Sequence, residues 1–188
     1  MFDPKEGLQF LVPCLDRLGI DYFFAGSLAS SLHGVYRQTN DVDVVARIRL
    51  DQTEALAREL QPEFYADAQM IQSAILHGRS FHVIHLRTSF KFDIFPLLGP
   101  FHESEMVRRE MVSGAKAGLE GIMIPTASAE DTILSKLSWY RKSDGSSSQQ
   151  WKDLMCVVKV KGNTLDREYL HYWASQLGVE ELLDELLS

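Results

Sequence analysis

Two rhythms of apolar spacing run along this chain, strand-like and helical stretches interleaved up to about residue 125 and helical spacing alone after it. Leu8, Leu11, Leu15 and Leu18 recur at helical intervals and predict a helix over 4–18, with Gly19 as its stop. A strand over 21–25 and a short helix over 27–32, ended by Gly34, follow. Residues 41–48 read as a strand and 51–60 as a helix, with Asp51 at the N-cap. Residues 81–86 and 90–95 read as paired strands around a turn at Thr88-Ser89. Glycines scattered over 111–124 fit a hairpin, and Pro125 closes the α/β half. Beyond it, Thr126 or Ser128 caps a helix whose first turn carries Glu130 and Asp131, complementing the helix dipole. A polar loop spans 143–148, and helices are predicted over 149–160, 166–177 and 179–187. The pattern gives an α/β core over 1–125 and a helical part over 126–188 packed on it.

The chemistry concentrates in the first half. Phe23-Phe24-Ala25 enters a Gly26-Ser27 turn, and Asp41-Val42-Asp43 lies fourteen residues beyond Ser27. Strand side chains alternate, so Asp41 and Asp43 share a face while Val42 and Val44 point the other way. Paired carboxylates repel unless a positive charge lies between them, and hard oxygen donors suit Mg²⁺ or Mn²⁺. A glycine just ahead of a helix lets backbone N–H groups approach a phosphate. Asp93 is the only acid in the apolar run Phe90–Phe95. It is either a third carboxylate for metal or proton transfer, or the partner of Lys91 on the same face.

Gly26-Ser27, Leu32-His33-Gly34, Arg37-Gln38-Thr39-Asn40-Asp41-Val42-Asp43 and Asp93 together resemble the polymerase-β-like nucleotidyltransferase superfamily. Within it they resemble the AbiEii-like group, which includes nucleotidyltransferase toxins of bacterial toxin–antitoxin systems. Ser128 to Leu137 is similar to that group's helix ending in Lys-Leu, and Trp151-Lys152-Asp153-Leu154 to its later Asp-containing segment. Ala129 departs from the proline usual there, and Val157 stands where a second acid would fall. The resemblance spans about residues 20 to 160. It implies a nucleotidyltransferase-type α/β (α+β) core with a mixed sheet, followed by a C-terminal helical part. It also implies transfer of a nucleoside monophosphate from a triphosphate to an acceptor hydroxyl. In that scheme Asp41, Asp43 and Asp93 are catalytic and hold Mg²⁺ or Mn²⁺, and Gly26, Ser27, Arg37 and Lys136 bind the nucleotide. The acceptor is a tRNA end, a protein side chain or a small hydroxylated molecule, and a cognate antitoxin is an expected partner. The alternative is a nucleotide-binding module of the same fold without chemistry.

Composition narrows the class. In 188 residues 45% are apolar, enough for a folded core. No apolar run reaches membrane-spanning length, and the N-terminus lacks the pattern of a signal peptide. Cys14 and Cys156 form no redox or metal motif, which fits a reducing cytoplasm. The net charge of −7 argues against broad nucleic-acid binding. Residues 132–165, however, hold six basic side chains against two acidic ones, +4, so the remainder carries −11. That basic stretch is either a grip on phosphates or a solvated helix face. His82 and His85 fall on opposite strand faces and make no metal pair, and His33 reads as structural. Arg37 either touches phosphate or braces the Asp-x-Asp strand. Trp139, Tyr140, Trp151 and Trp173 read as packing between helices, with base stacking open to Tyr140 or Trp151.

Overall fold

The computed structural model describes residues 4–34, 39, 41–117, 120–121, 123–143 and 147–188, with backbone alone at 116 and 117. Its strands are β1 (Tyr22–Phe24), β2 (Asp41–Ala46), β3 (Phe64–Tyr65), β4 (Phe81–His85), β5 (Lys91–Pro96), β6 (Glu110–Ser113) and β7 (Met123–Thr126). They form one mixed sheet in the order β3-β4-β5-β2-β1-β7-β6. The helices are α1 (Lys5–Arg17), α2 (Gly26–His33), α3 (Thr53–Leu60), α4 (Ala68–Leu76), α5 (Gly99–Arg108), α6 (Ala129–Lys142), α7 (Ser148–Lys161), α8 (Arg167–Leu177) and α9 (Glu180–Leu187). The α/β core with a mixed sheet and a C-terminal run of helices is as expected.

Strand alternation sorts the side chains. Val42, Val44 and Ala46 of β2, with Phe92 and Ile94 of β5, point into the main core against α1, α3 and α4. Phe23, Val45 and Phe95 point to the other face and meet Met106 of α5 and Ala127 in a smaller cluster. A separate core joins α6 to α9 through Ile133, Leu137, Leu154, Leu170 and Leu183. Among the described residues no helix is long and apolar enough to cross a membrane.

Several expectations are corrected. Asp51 does not cap α3: it lies in a 3-10 turn, Leu50–Gln52, where its carboxylate pairs with Arg49 at 3.0 Å. Pro125 lies inside β7, the last strand in chain order, opposite Met111. Only Phe24 and Thr126 pair between β1 and β7, so the missing N–H of Pro125 interrupts little on that side. Thr126 turns its hydroxyl to the Ile124 carbonyl, and Ser128 is the N-cap of α6, accepting the Asp131 N–H. Asp131 does more than complement a dipole. Buried, it accepts the Tyr169 hydroxyl at 2.5 Å and the Ser128 hydroxyl at 2.7 Å, tying α6 to α8. The sequence pattern does not predict β3, α4 and α5.

Candidate active site

The parallel pairing of β2 with β5 sets the acids in register. Asp43 lies opposite Asp93, and Asp41 opposite Lys91. Directly opposed residues share a face, so all four project from the side away from the main core. The antiparallel partner β4 adds His82 opposite Asp93 in the same row. His85 falls on the other face, buried, with Nδ1 bonded to the Thr88 hydroxyl at 2.8 Å.

The glycine turn closes on this row. Gly26 opens α2 with a φ of +59°. A Cβ there would overlap Asp43 Oδ2 and stand 2.7 Å from its Cγ. Only glycine permits both the left-handed backbone and this approach of the helix start to the carboxylate. The Ala25 N–H donates to the Asp43 carbonyl at 2.9 Å, which locks the turn to β2. Helix α2 is anchored at its other end by His33, whose buried ring bonds the Ala127 carbonyl at 2.6 Å. Burial lowers the pKa of that imidazole, in keeping with a structural role.

Charge is concentrated here. Burial first, then Asp41 and Asp93, push the Asp43 carboxyl up to about 6, while Lys136 and Lys91 pull it down. The Lys91 ammonium lies 2.6 Å from Asp93 and 4.0 Å from Asp41. The salt-bridge reading of Asp93 is therefore present in the structure, with a cation drawn between two of the three acids. Among the described residues no three Asp, Glu, His or Cys side chains stand close enough together to hold an ion as they are. The oxygen donors nevertheless suit a hard divalent ion, and the Lys91 ammonium occupies the kind of position such a cation would compete for. Thr39 donates to the Asp41 carboxylate at 3.2 Å.

A cleft of about 700 Å³ opens beside Asp43, while Asp41 and Asp93 do not line it. Gly26, Ser27, Asp43 and Lys136 line it together. Lys136 is buried and donates to Asp153 at 3.0 Å, so the Lys136 helix and the Asp153 segment meet in one ion pair. Arg37 lies outside the described residues. Among the aromatic residues, Trp139 lines the cleft and is 54% exposed, so it is not interior packing. Tyr140 and Trp151 instead pair with each other at 5.2 Å, and Trp173 packs on Phe101. Within the basic stretch, Lys136 and Lys142 reach the cleft, while Lys152 and Lys159 face solvent. Glu105 and His102, also in its wall, were missed by the sequence reading, because α5 shows little apolar periodicity.

The fold has solved counterparts. The antibiotic-resistance factor ANT(2″)-Ia superposes with a TM-score of 0.57 at 12% identity, over 95% of this chain and 92% of that one. An antigenic nucleotidyltransferase-like protein from Paracoccidioides brasiliensis gives 0.55 at 17%, over 100% and 94%. The lincosamide antibiotic adenylyltransferase LnuA, solved with lincomycin, gives 0.55 at 11%, over 85% and 99%. At these identities the likeness is one of fold, the fold of these nucleotidyltransferase structures. No protein-family model and no curated protein sequence matches the chain.

Proposed function

We propose that this protein is a nucleotidyltransferase that moves a nucleoside monophosphate from a triphosphate to an acceptor hydroxyl. The observation that carries the reading is the row of Asp43 and Asp93, closed by Gly26 at the start of a helix. Asp41, Asp43 and Asp93 would hold Mg²⁺ or Mn²⁺, which when bound neutralises charge on the phosphate oxygens. The backbone at Gly26 and Ser27, at the start of α2, would meet a phosphate with the positive end of the helix. Lys136, steadied by Asp153, adds a positive charge to the same wall, and Arg37 is assigned to the phosphates as well. Asp93 would complete the cation site or accept the proton of the attacking hydroxyl. These groups position and neutralise, which is most of what phosphoryl-type transfer requires.

The finer assignment is the AbiEii-like group, with a cognate antitoxin and a tRNA end or protein as acceptor. It is supported by the meeting of Lys136 with Asp153, residues from two segments that resemble that group. The test is calorimetry with ATP, CTP, GTP and UTP, with and without Mg²⁺ or Mn²⁺, followed by incubation with labelled triphosphate and cellular RNA, protein and aminoglycosides. Metal-dependent binding and label in one fraction are expected. Binding without label would favour the non-catalytic module, and no metal-dependent binding at all would sink the reading.

A further inference from the structure

The cleft runs past Asp43. Val45 and Phe95 stand two residues beyond Asp43 and Asp93 on the same strands and continue its floor, about 7 Å further along. Beyond them Phe101, His102 and Glu105 of α5 face Ser135 and Trp139 of α6. This chamber holds an aromatic wall and one buried carboxyl, and neither serves the phosphate chemistry.

Glu105 is 1% exposed, yet it lines the cleft. Its Oε1 accepts the Ser135 hydroxyl at 2.8 Å. Its Oε2 lies 3.9 Å from His102 Nε2, beyond hydrogen-bond distance. The His102 ring is engaged elsewhere, with Nδ1 accepting the Leu98 N–H at 3.1 Å and a further bond to the Pro96 backbone. The hydroxyl of Thr132, also in the cleft wall, is buried with no partner among the described residues. A buried carboxyl with one oxygen uncommitted, beside an exposed indole, is the equipment for reading a planar heterocycle.

We propose that Glu105 reads the base of the bound nucleotide and selects one with an amino group beside an unprotonated ring nitrogen, adenine or cytosine. The proposal rests on the nucleotide reading above. With Oε1 held by Ser135 and still able to accept, the amino group donates there. Oε2 carries the proton and donates to the ring nitrogen. Uracil and guanine present an N–H at that second position, so two donors would meet and both would go unpaired.

The protonation state agrees with this geometry. Burial, then Asp131, push the Glu105 carboxyl up to about 8, against the bond from Ser135. The charged and titratable groups around it come from three helices. On α5, His102 has its pKa lowered by burial, and Arg108 lies 3.9 Å from Asp131. On α6 they are Asp131, Lys136 and Lys142, and on α8 Tyr169, which holds Asp131. From the strand floor Asp43 also lines the cleft, two residues before Val45, while Val45 and Phe95 carry no charge. Above about pH 8 the ionised carboxylate can only accept, and it then matches the two adjacent donors of guanine.

The experiment is calorimetry of the full chain with the four Mg²⁺-triphosphates from about pH 6.5 to about pH 9. At the acid end ATP or CTP binds about tenfold or more tighter than GTP and UTP. ATP ahead of CTP identifies a purine-sized chamber, and the reverse a pyrimidine-sized one. The advantage over GTP shrinks about tenfold toward the alkaline end. Glu105→Gln keeps one donor and one acceptor on the same frame, so it keeps the preference and loses its pH dependence. Glu105→Ala levels the four affinities. Should Glu105→Ala fail to fold, the wild-type pH series and Glu105→Gln still decide. Failure of all four nucleotides to bind would overturn the nucleotide reading itself. Equal affinities, a pH-independent preference, or a preference that survives in folded Glu105→Ala would overturn only the role of Glu105.

Discussion

Asp43 and Gly26 are two halves of one contact, and each can be tested separately. Gly26 combines a positive φ with a carboxylate where its side chain would be. Gly26→Ala is expected to cost about 1–3 kcal/mol from the backbone alone. It should also push Asp43 out of line with Asp93, so triphosphate binding should fall further than stability does. A melting curve beside a calorimetric titration separates the two, and normal binding in a merely less stable protein would contradict the contact's role. Asp43 carries a pH prediction for the protein without metal. Its carboxyl is pushed from the ordinary 3.8 to about 6, so the native state binds the proton more tightly than the unfolded chain. Stability is then lost as pH rises from about 4 to about 6, by at most about 3 kcal/mol. Asp43→Asn removes that dependence. The variant should match the wild type near pH 4 and melt higher near pH 7.5, and equal melting temperatures at both would refute the repulsion. Added Mg²⁺ should narrow the difference by stabilising the wild type alone.

At the scale of elements, the ion pair between α6 and α7 is where structure and function are hardest to separate. Lys136 and Asp153 are both buried, and Gln149 gives Asp153 a second bond at 2.9 Å. Removing Lys136 alone leaves a buried carboxylate short of its partner and should cost about 3–5 kcal/mol. Lys136→Met combined with Asp153→Leu should recover much of that stability. If Lys136 also serves the phosphates, the double variant melts near the wild type yet binds triphosphate poorly; full binding would reduce Lys136 to a scaffold role. The elements legible in the sequence are those with a local signature. The leucine spacing of α1, the cap and acids of α6, and the alternation of β2 and β5 each act within a few residues. Strand β3 is two residues long, and α5 buries only Glu105 and Met106 along its length, so neither shows a period. The site divides the same way. Asp41, Asp43, Asp93 and Gly26 announce themselves through strand alternation and a turn. Glu105 gains its environment from Ser135, thirty residues on, and no local pattern carries that.

Across the whole molecule, the cleft lies between the sheet face that bears the acids and the separate core of α6 to α9. A net charge of −7 would repel a polyanion, but Lys142 and Lys136, the latter paired with Asp153, set ammonium groups in the cleft wall beside Asp43. On the proposed function, attraction for a triphosphate would be confined to this place and should weaken with salt as the exposed charge of Lys142 is screened. Trp139 reports on that place. It is half exposed in the cleft wall with the Lys142 ammonium 4.9 Å from its ring centre, while Trp151 and Trp173 are packed against other rings. A nucleotide entering the cleft must displace water or Lys142 from the indole, so binding should change the tryptophan emission. Trp139→Phe should abolish that change while leaving the calorimetric affinity within about threefold, since the ring that remains still offers an apolar face. Trp151→Phe should leave the signal intact. A response that survives Trp139→Phe and vanishes with Trp151→Phe would put the nucleotide against Trp151 of α7 rather than against Trp139.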